Sequence, residues 1–174
     1  MVLPEGETDT WKKLCREEPF AINHTLVRGG NTRFHSVKSG VELVREDTLV
    51  AIHDGVRPLV SRHTIDRAFK KAEKTGNAIP VIDITDSVRQ IEKGVSKAVK
   101  REDFKLVQTP QVFNSSLLKE AYRQDYREDF TDDASLVENL GYTIHVVEGN
   151  IENMKITTQK DLELAGILLH SSEA

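Results

Sequence analysis

The sequence contains a single cysteine, Cys15. One thiol cannot close an internal disulfide, so the chain is expected in a reducing compartment, the cytoplasm. No nucleophile motif surrounds Cys15 in "WKKLC", and it reads as a structural thiol on a helix. Long apolar runs are also missing: nothing approaches the roughly 18 residues needed for a bilayer span. No charged-then-apolar leader opens the chain, so neither secretion nor membrane association is expected. Positive charge is not in excess, with 24 Lys and Arg against 28 Asp and Glu and a net charge of −4. That excludes a bulk cationic field for duplex nucleic acid, while leaving room for a local site that holds a small phosphate. Repeats and low-complexity tracts are absent as well.

What is present fits one soluble globular domain: 174 residues, 38% hydrophobic and 30% charged. A chain of this length buries roughly 70% of its unfolded surface. A single domain over residues 1–174 is therefore expected. Strand-like and helix-like segments alternate along it. "DTWKKLCREE" is polar and helical, and "HTLVRGG" is a short strand ending in two glycines. Phe34, Val37, Val41 and Val44 are spaced by three, four and three, which predicts a helix with one buried face. "TLVAIHD" is a buried strand. "SRHTIDRAFKKAEKTG" is a helix with Ser61 as N-cap and Gly76 as its stop. "NAIPVIDI" is a strand in which Pro80 suggests an edge position or an irregular pairing. Two β-compatible pieces flank Lys93-Gly94 and predict a hairpin. "SSLLKEAYRQDY", "DDASLVENLG" and "TQKDLELAGILLH" are helices, and "YTIHVVEG" is a strand. Such alternation argues a mainly parallel sheet covered on both faces, with ligands beyond the carboxyl ends of the strands. Val2 and Leu3 read as the tail of a strand stopped by Pro4, so an earlier strand and its loops are expected to be missing from this chain.

Five segments carry candidate chemistry. In "RGGNTRFHS" two glycines permit close backbone approach. Asn31 or Thr32 can cap the following helix, and Arg33 and Ser36 share its first turn. "HDGVRP" ends a strand: Asp54 suits Mg²⁺ or a sugar hydroxyl, and Arg57 suits a phosphate. An Asp54–Arg57 turn salt bridge is the plain alternative, and His53 reads as a packed strand-end residue. In "KREDFKLVQTPQVF", Thr109 follows a strand and can reach the crevice, while Lys100 and Arg101 close the hairpin arm. In "FTDDAS", Thr131 or Asp132 can cap a helix. In "EGNIENMKIT", Lys155 lies between an acidic loop and a strand-like "IT", where it can serve as a point charge for a transferring phosphate.

Taken in order, "GGNTRFHSV", "HDGVRP", "TPQVF", "TDDAS" and "EGNIENMKITTQKDLELA" resemble the 2-C-methyl-D-erythritol 4-phosphate cytidylyltransferases. The resemblance runs from about Leu3 to Leu168. It implies a Rossmann-like nucleotidyltransferase fold, a three-layer α/β sandwich, and a homodimer joined by a protruding β-arm at about residues 84–103. It implies transfer of CMP from CTP to a sugar-alcohol phosphate in non-mevalonate isoprenoid synthesis, with Mg²⁺ required and pyrophosphate released. It also assigns Gly30, Asn31, Arg33 and Ser36 to the nucleotide, and Asp54 to the metal and substrate hydroxyls. Gly55 would allow close approach to the ligand, with Arg57, Thr109 and Thr131 on the acceptor. Arg101 and Ser87 fall near the acceptor phosphate across the dimer, and Lys155 at the α-phosphate. The family's glycine-rich loop, of the form AAGxGxRM with a lysine shortly after, has no counterpart here. The chain is thus expected to hold the acceptor half of the site and to lack much of the triphosphate half. An inactive fragment, a ribitol-phosphate cytidylyltransferase and a non-catalytic sugar-phosphate-binding dimer module remain open readings.

Overall fold

The computed structural model describes residues 1–18 and 22–171, so a domain over 1–174 extends to residues outside the described ones. In chain order the elements are β1 (Val2–Leu3), α1 (Thr8–Glu17), β2 (Val27–Arg28), α2 (Arg33–Val41), β3 (Leu49–Ile52), α3 (Arg62–Thr75) and β4 (Asn77–Asp83). There follow β5 (Arg89–Glu92), β6 (Val95–Ala98), β7 (Lys105–Val107), β8 (Gln111–Asn114), α4 (Ser115–Ala121), α5 (Asp133–Asn139), β9 (Val146–Glu148) and α6 (Gln159–Ser171). The chain folds as two compact units, Met1–Val50 with Asn114–Thr143, and Ala51–Phe113 with Ile144–Ala174.

In the first unit β1 and β2 pair in parallel. The expected helix after the twin glycines is α2, and Thr32 is its cap, accepting the His35 amide at 3.3 Å. Of the predicted apolar face, Phe34 and Val41 are buried. Phe34 packs against the rings of Tyr122, Tyr126 and Phe130. Asp132 caps α5 in a capping box with Ser135, and Gly141 follows the helix with φ of 88°.

The second unit carries the central five-stranded sheet, ordered β3-β8-β4-β7, with β9 also pairing β4. Helix α3 begins and ends as its sequence predicts, capped by the Ser61 hydroxyl and stopped at left-handed Gly76. Its buried Ala68 and Ala72 belong to the helix that packs on β4 and β9. The sheet is mixed, not mainly parallel. β4 pairs parallel with β9 and antiparallel with both β7 and β8. The reason lies in the connection: the chain leaves β4 through the hairpin and returns against the same strand.

Pro80 also departs from expectation, because β4 is the strand on which three others pair. Its missing N–H faces the interruption between two partners. β7 ends at Val107 and β8 starts at Gln111, and only the Pro80 carbonyl is used there, accepting Gln108 N at 2.8 Å. A proline can therefore sit inside the sheet without orphaning a ladder bond. Strand β8, "QVFN", has no alternating pattern to betray it, since Gln111, Val112 and Phe113 are all fully buried.

The predicted hairpin is β5 and β6, in register from Arg89↔Ala98 to Glu92↔Val95. Lys93 and Gly94 turn with φ of 46° and 80°, the left-handed pair that matches strand twist. Every residue of both strands is exposed, including Ile91 and Val95. No described helix is long and apolar enough to cross a membrane.

Candidate active site

The "HDGVRP" segment leaves β3 and folds back on itself, with the Arg57 amide bonded to the Asp54 carbonyl at 3.0 Å. A second chain of bonds fixes the loop to the segment before β8. The Asp54 amide donates to Thr109 Oγ1 at 3.0 Å, and Thr109 Oγ1 lies 2.9 Å from His53 Nδ1. His53 Nε2 is 3.0 Å from the Arg57 carbonyl, an obligate acceptor. One tautomer satisfies all of this: Nε2 carries the proton, and Nδ1 accepts the Thr109 hydroxyl. His53 thus braces the loop, but as an exposed residue rather than the packed one expected. The Thr109 hydroxyl is engaged on both sides inside the protein.

Charged groups meet on this frame. Arg57 Nε is 3.3 Å from Asp54 Oδ2, and both side chains are about 15% exposed. Lys155 Nζ is 3.6 Å from the same oxygen, with its side chain 48% exposed. An ion pair that open is worth about 0–1 kcal/mol, so Lys155 can leave Asp54 for a stronger anion at little cost. One carboxylate faces two cations, and the cluster is net positive. The expected Asp54–Arg57 bridge exists, and Lys155 joins it as a third member from far along the chain.

Lys155 arrives by a route its neighbours dictate. Ile156 forms no strand; its amide donates to the Val56 carbonyl at 2.8 Å, a backbone bond that ties "MKIT" to "HDGVRP" beside the Lys155–Asp54 pair. The preceding loop, 149–153, is moulded by amides. Gln108, 3% exposed, donates to the carbonyls of Asn150 at 2.9 Å and Asn153 at 3.3 Å, and accepts the Asn150 amide at 3.3 Å. Gly149 is what lets Gln108 approach, because a Cβ there would lie 2.3 Å from its Oε1. Asn150 Oδ1 accepts the Ser61 amide and the Thr64 hydroxyl at 3.0 Å each. The Glu152 carboxyl is held below the usual range by backbone hydrogen bonding and by Asn150. Asn153 is fully buried; its Nδ2 donates to the Thr109 carbonyl at 2.8 Å, and its carbonyl accepts Arg57 Nη1 at 2.8 Å.

A family profile for IspD, 2-C-methyl-D-erythritol 4-phosphate cytidylyltransferase, matches residues 1–171. The chain belongs to this family. It is 52% identical to the 2-C-methyl-D-erythritol 4-phosphate cytidylyltransferase of Bacteroides fragilis, over 97% of this chain and 77% of that protein. The Phocaeicola vulgatus enzyme of the same name is 50% identical over the same shares. Among solved structures, the 2-C-methyl-D-erythritol 4-phosphate cytidylyltransferase of Thermus thermophilus is similar with a TM-score of 0.80 and 36% identity, over 97% of this chain and 80% of that one. The 4-diphosphocytidyl-2C-methyl-D-erythritolsynthase of Anaerococcus prevotii has a TM-score of 0.84 at 28% identity, covering 97% and 77%. The mixed α/β fold with its central sheet is the Rossmann-like nucleotidyltransferase fold that the resemblance implied.

The residues proposed from that resemblance fall into separate groups in this IspD-family chain. Asp54, Arg57, Thr109 and Lys155 come together as described, and Gly55, between the first two in the chain, is exposed with open space where a Cβ would lie. Ser87 is exposed between β4 and β5, and Arg101 stands at the foot of the arm, bonded to the Thr85 carbonyl and to Glu102. Neither has a described contact with the Asp54 cluster. The other five lie in the first compact unit. There the Gly30 amide donates to Ser36 Oγ at 3.1 Å, and a Cβ on Gly30 would sit 2.5 Å from that of His35. Asn31 and Thr131 are exposed. Arg33 bonds Asp133 Oδ2 at 2.6 Å, and Asp133, wholly buried, also accepts the Tyr122 hydroxyl.

Sequence reasoning missed Gln108, Asn150, Asn153 and Asp133. Gln108 stood beside Thr109 and Asn153 two residues before Lys155, so adjacency to a motif was the available signal. Asp133 was hidden by its neighbour Asp132, the more obvious cap.

Proposed function

We propose that this chain transfers CMP from CTP to 2-C-methyl-D-erythritol 4-phosphate and releases pyrophosphate, as a single catalytic domain with an arm at about 84–103. The meeting of Asp54, Arg57 and Lys155 in one net-positive cluster carries the reading. The named relatives are methylerythritol enzymes, which favours that acceptor over ribitol phosphate. An acceptor phosphate oxygen attacks the α-phosphorus in line; the new P–O bond forms as the bond to the β-phosphate oxygen breaks. No covalent intermediate is required, so positioning and charge stabilisation do the work. Arg57 holds the acceptor, with Gly55 permitting close approach. Lys155 leaves Asp54 to neutralise charge at the α-phosphate. Thr109 supports the acceptor side through its bonds to the Asp54 loop. Gly30, Asn31, Arg33 and Ser36 are assigned to the nucleotide, and Thr131 and Ser87 to the acceptor.

Among the described residues no group of three or more His, Cys, Asp or Glu side chains could hold a metal ion. The donor set fits Mg²⁺ in one way, as an ion carried in on phosphate oxygens and met by the single carboxylate of Asp54. Bound so, it would neutralise phosphate charge. The exposed arm, with Ile91 65% and Val95 70% exposed, supports a homodimer in which Arg101 serves the partner's site. The lone cysteine supports a cytoplasmic setting.

The test is direct: incubate the chain with CTP, the acceptor and Mg²⁺ and follow pyrophosphate release together with the phosphorus NMR signal of the product. No release, with the chain folded and both substrates intact, overturns the reading. Lys155→Ala is expected to depress kcat far more than it raises the acceptor KM, and equal losses in both would contradict its assigned role.

A further inference from the structure

Asn153 joins groups that the chemistry must keep in register. Its side chain has no exposure, and its Nδ2 donates to the Thr109 carbonyl at 2.8 Å and lies 3.4 Å from Gln108 Oε1. Both partners are acceptors, so the amide orientation is fixed by chemistry. Its main-chain carbonyl takes two donors, Arg57 Nη1 at 2.8 Å and Gln108 Nε2 at 3.3 Å. Two residues further on, Lys155 reaches Asp54. Asn153 Oδ1 is buried with no hydrogen-bond partner in the protein. A buried polar atom left so is costly, and a leucine of similar volume would avoid the cost. The amide is therefore kept for its donor and for the geometry that donor imposes.

We propose that Asn153, held by Gln108, is a positioning residue that sets the distance between Lys155 and Arg57 and so couples the two cations that grip a phosphate ligand. Asn153 touches neither the ligand nor the reacting atoms. It acts by pinning one loop to the segment that carries Thr109, while its carbonyl aims the Arg57 guanidinium. This rests on the cluster being a phosphate site, which the proposed function also requires, but it does not need the CTP reaction.

A double-mutant cycle on binding of inorganic pyrophosphate tests it, by calorimetry at fixed low salt. Asn153→Ala is expected to weaken pyrophosphate on the order of tenfold in the wild-type background and to have almost no effect when Lys155→Ala is already present, the non-additivity of coupled sites. Gln108→Met, which keeps the volume and removes the amide bonds to the loop, is expected to show the same pattern and serves if Asn153→Ala does not fold. Where turnover is measurable, both variants are expected to lose kcat on the order of a hundredfold, the effect of about a 1 Å misplacement, and to raise acceptor KM as well, because Arg57 loses its aim. Equal weakening in the two backgrounds assigns Asn153 a structural role and overturns the proposal, as does a wild-type chain that binds no pyrophosphate. A wild-type chain that binds pyrophosphate with the predicted coupling, yet converts no CTP, overturns the proposed function and leaves the positioning role standing.

Discussion

Tyr122→Phe removes one oxygen from the first compact unit, and the structure says what that oxygen does. The ring is 2% exposed and packs on Phe34; its hydroxyl donates to Asp133, which has no exposure at all. A hydrogen bond to an ionised group contributes about 1.5–3 kcal/mol. The substituted ring keeps its packing, so little else changes. Arg33 remains on the other Asp133 oxygen at 2.6 Å, and its side chain is 37% exposed, which keeps the carboxylate from becoming an unpaired buried charge. The expected loss is therefore about 2 kcal/mol, set against a domain stability of about 5–15 kcal/mol. With a urea slope of about 2 kcal/mol per molar, the unfolding midpoint should fall by about 1 M. Tyr126→Phe, at an exposed ring in the same cluster, is the control and should change stability by less than about 0.5 kcal/mol. Alkaline titration gives an independent reading. Burial first, and Asp133 second, push the Tyr122 hydroxyl well above its ordinary value of 10.0. A raised folded pKa stabilises below the unfolded value and is lost as pH climbs towards the folded one. Wild type should thus lose stability above about pH 10 more steeply than Tyr122→Phe. A Tyr122→Phe midpoint indistinguishable from wild type, or matching alkaline limbs, would refute the reasoning.

Other substitutions probe the remaining links. Asp133→Ala should cost more than Tyr122→Phe, towards the lower end of about 3–5 kcal/mol, because half-open Arg33 can turn to water; urea unfolding checks the order of the two. Gly149→Ala places a methyl against Gln108 and Ile82 and should destabilise by about 1–3 kcal/mol, with faster hydrogen exchange at the Asn150 and Asn153 amides; unchanged exchange would contradict the role given to Gln108. Asp161 is held below the usual carboxylate range by the amides of Thr157 and Thr158. Its stabilisation is present above the unfolded pKa and lost as pH falls through the folded one. Asp161→Ala should therefore be less stable at neutral pH and converge with wild type in acid; a gap that persists into strong acid argues otherwise. Ile91→Ser with Val95→Ser should shift the proposed dimer towards monomer in sedimentation, and an unmoved distribution would place the interface elsewhere.

Local chemistry determined much of this protein without help from the fold. The Ser61 cap and Gly76 stop bound α3, and Lys93-Gly94 turns the arm, because caps and turns are made by residues within a few positions of one another. Placing "HDGVRP" at a strand end was equally local, and it put Asp54 and Arg57 side by side. Tertiary structure alone decided the rest. It seated Pro80 in a central strand, because its blank N–H meets a gap between two partners rather than a ladder. It paired Arg33 with the buried Asp133, and it raised Gln108 and Asn153 from loop residues to the frame of the site. Amide and carboxylate pairings that cross long stretches of chain leave no period and no spacing in the sequence. They exist only once the backbone has brought their ends within hydrogen-bonding distance.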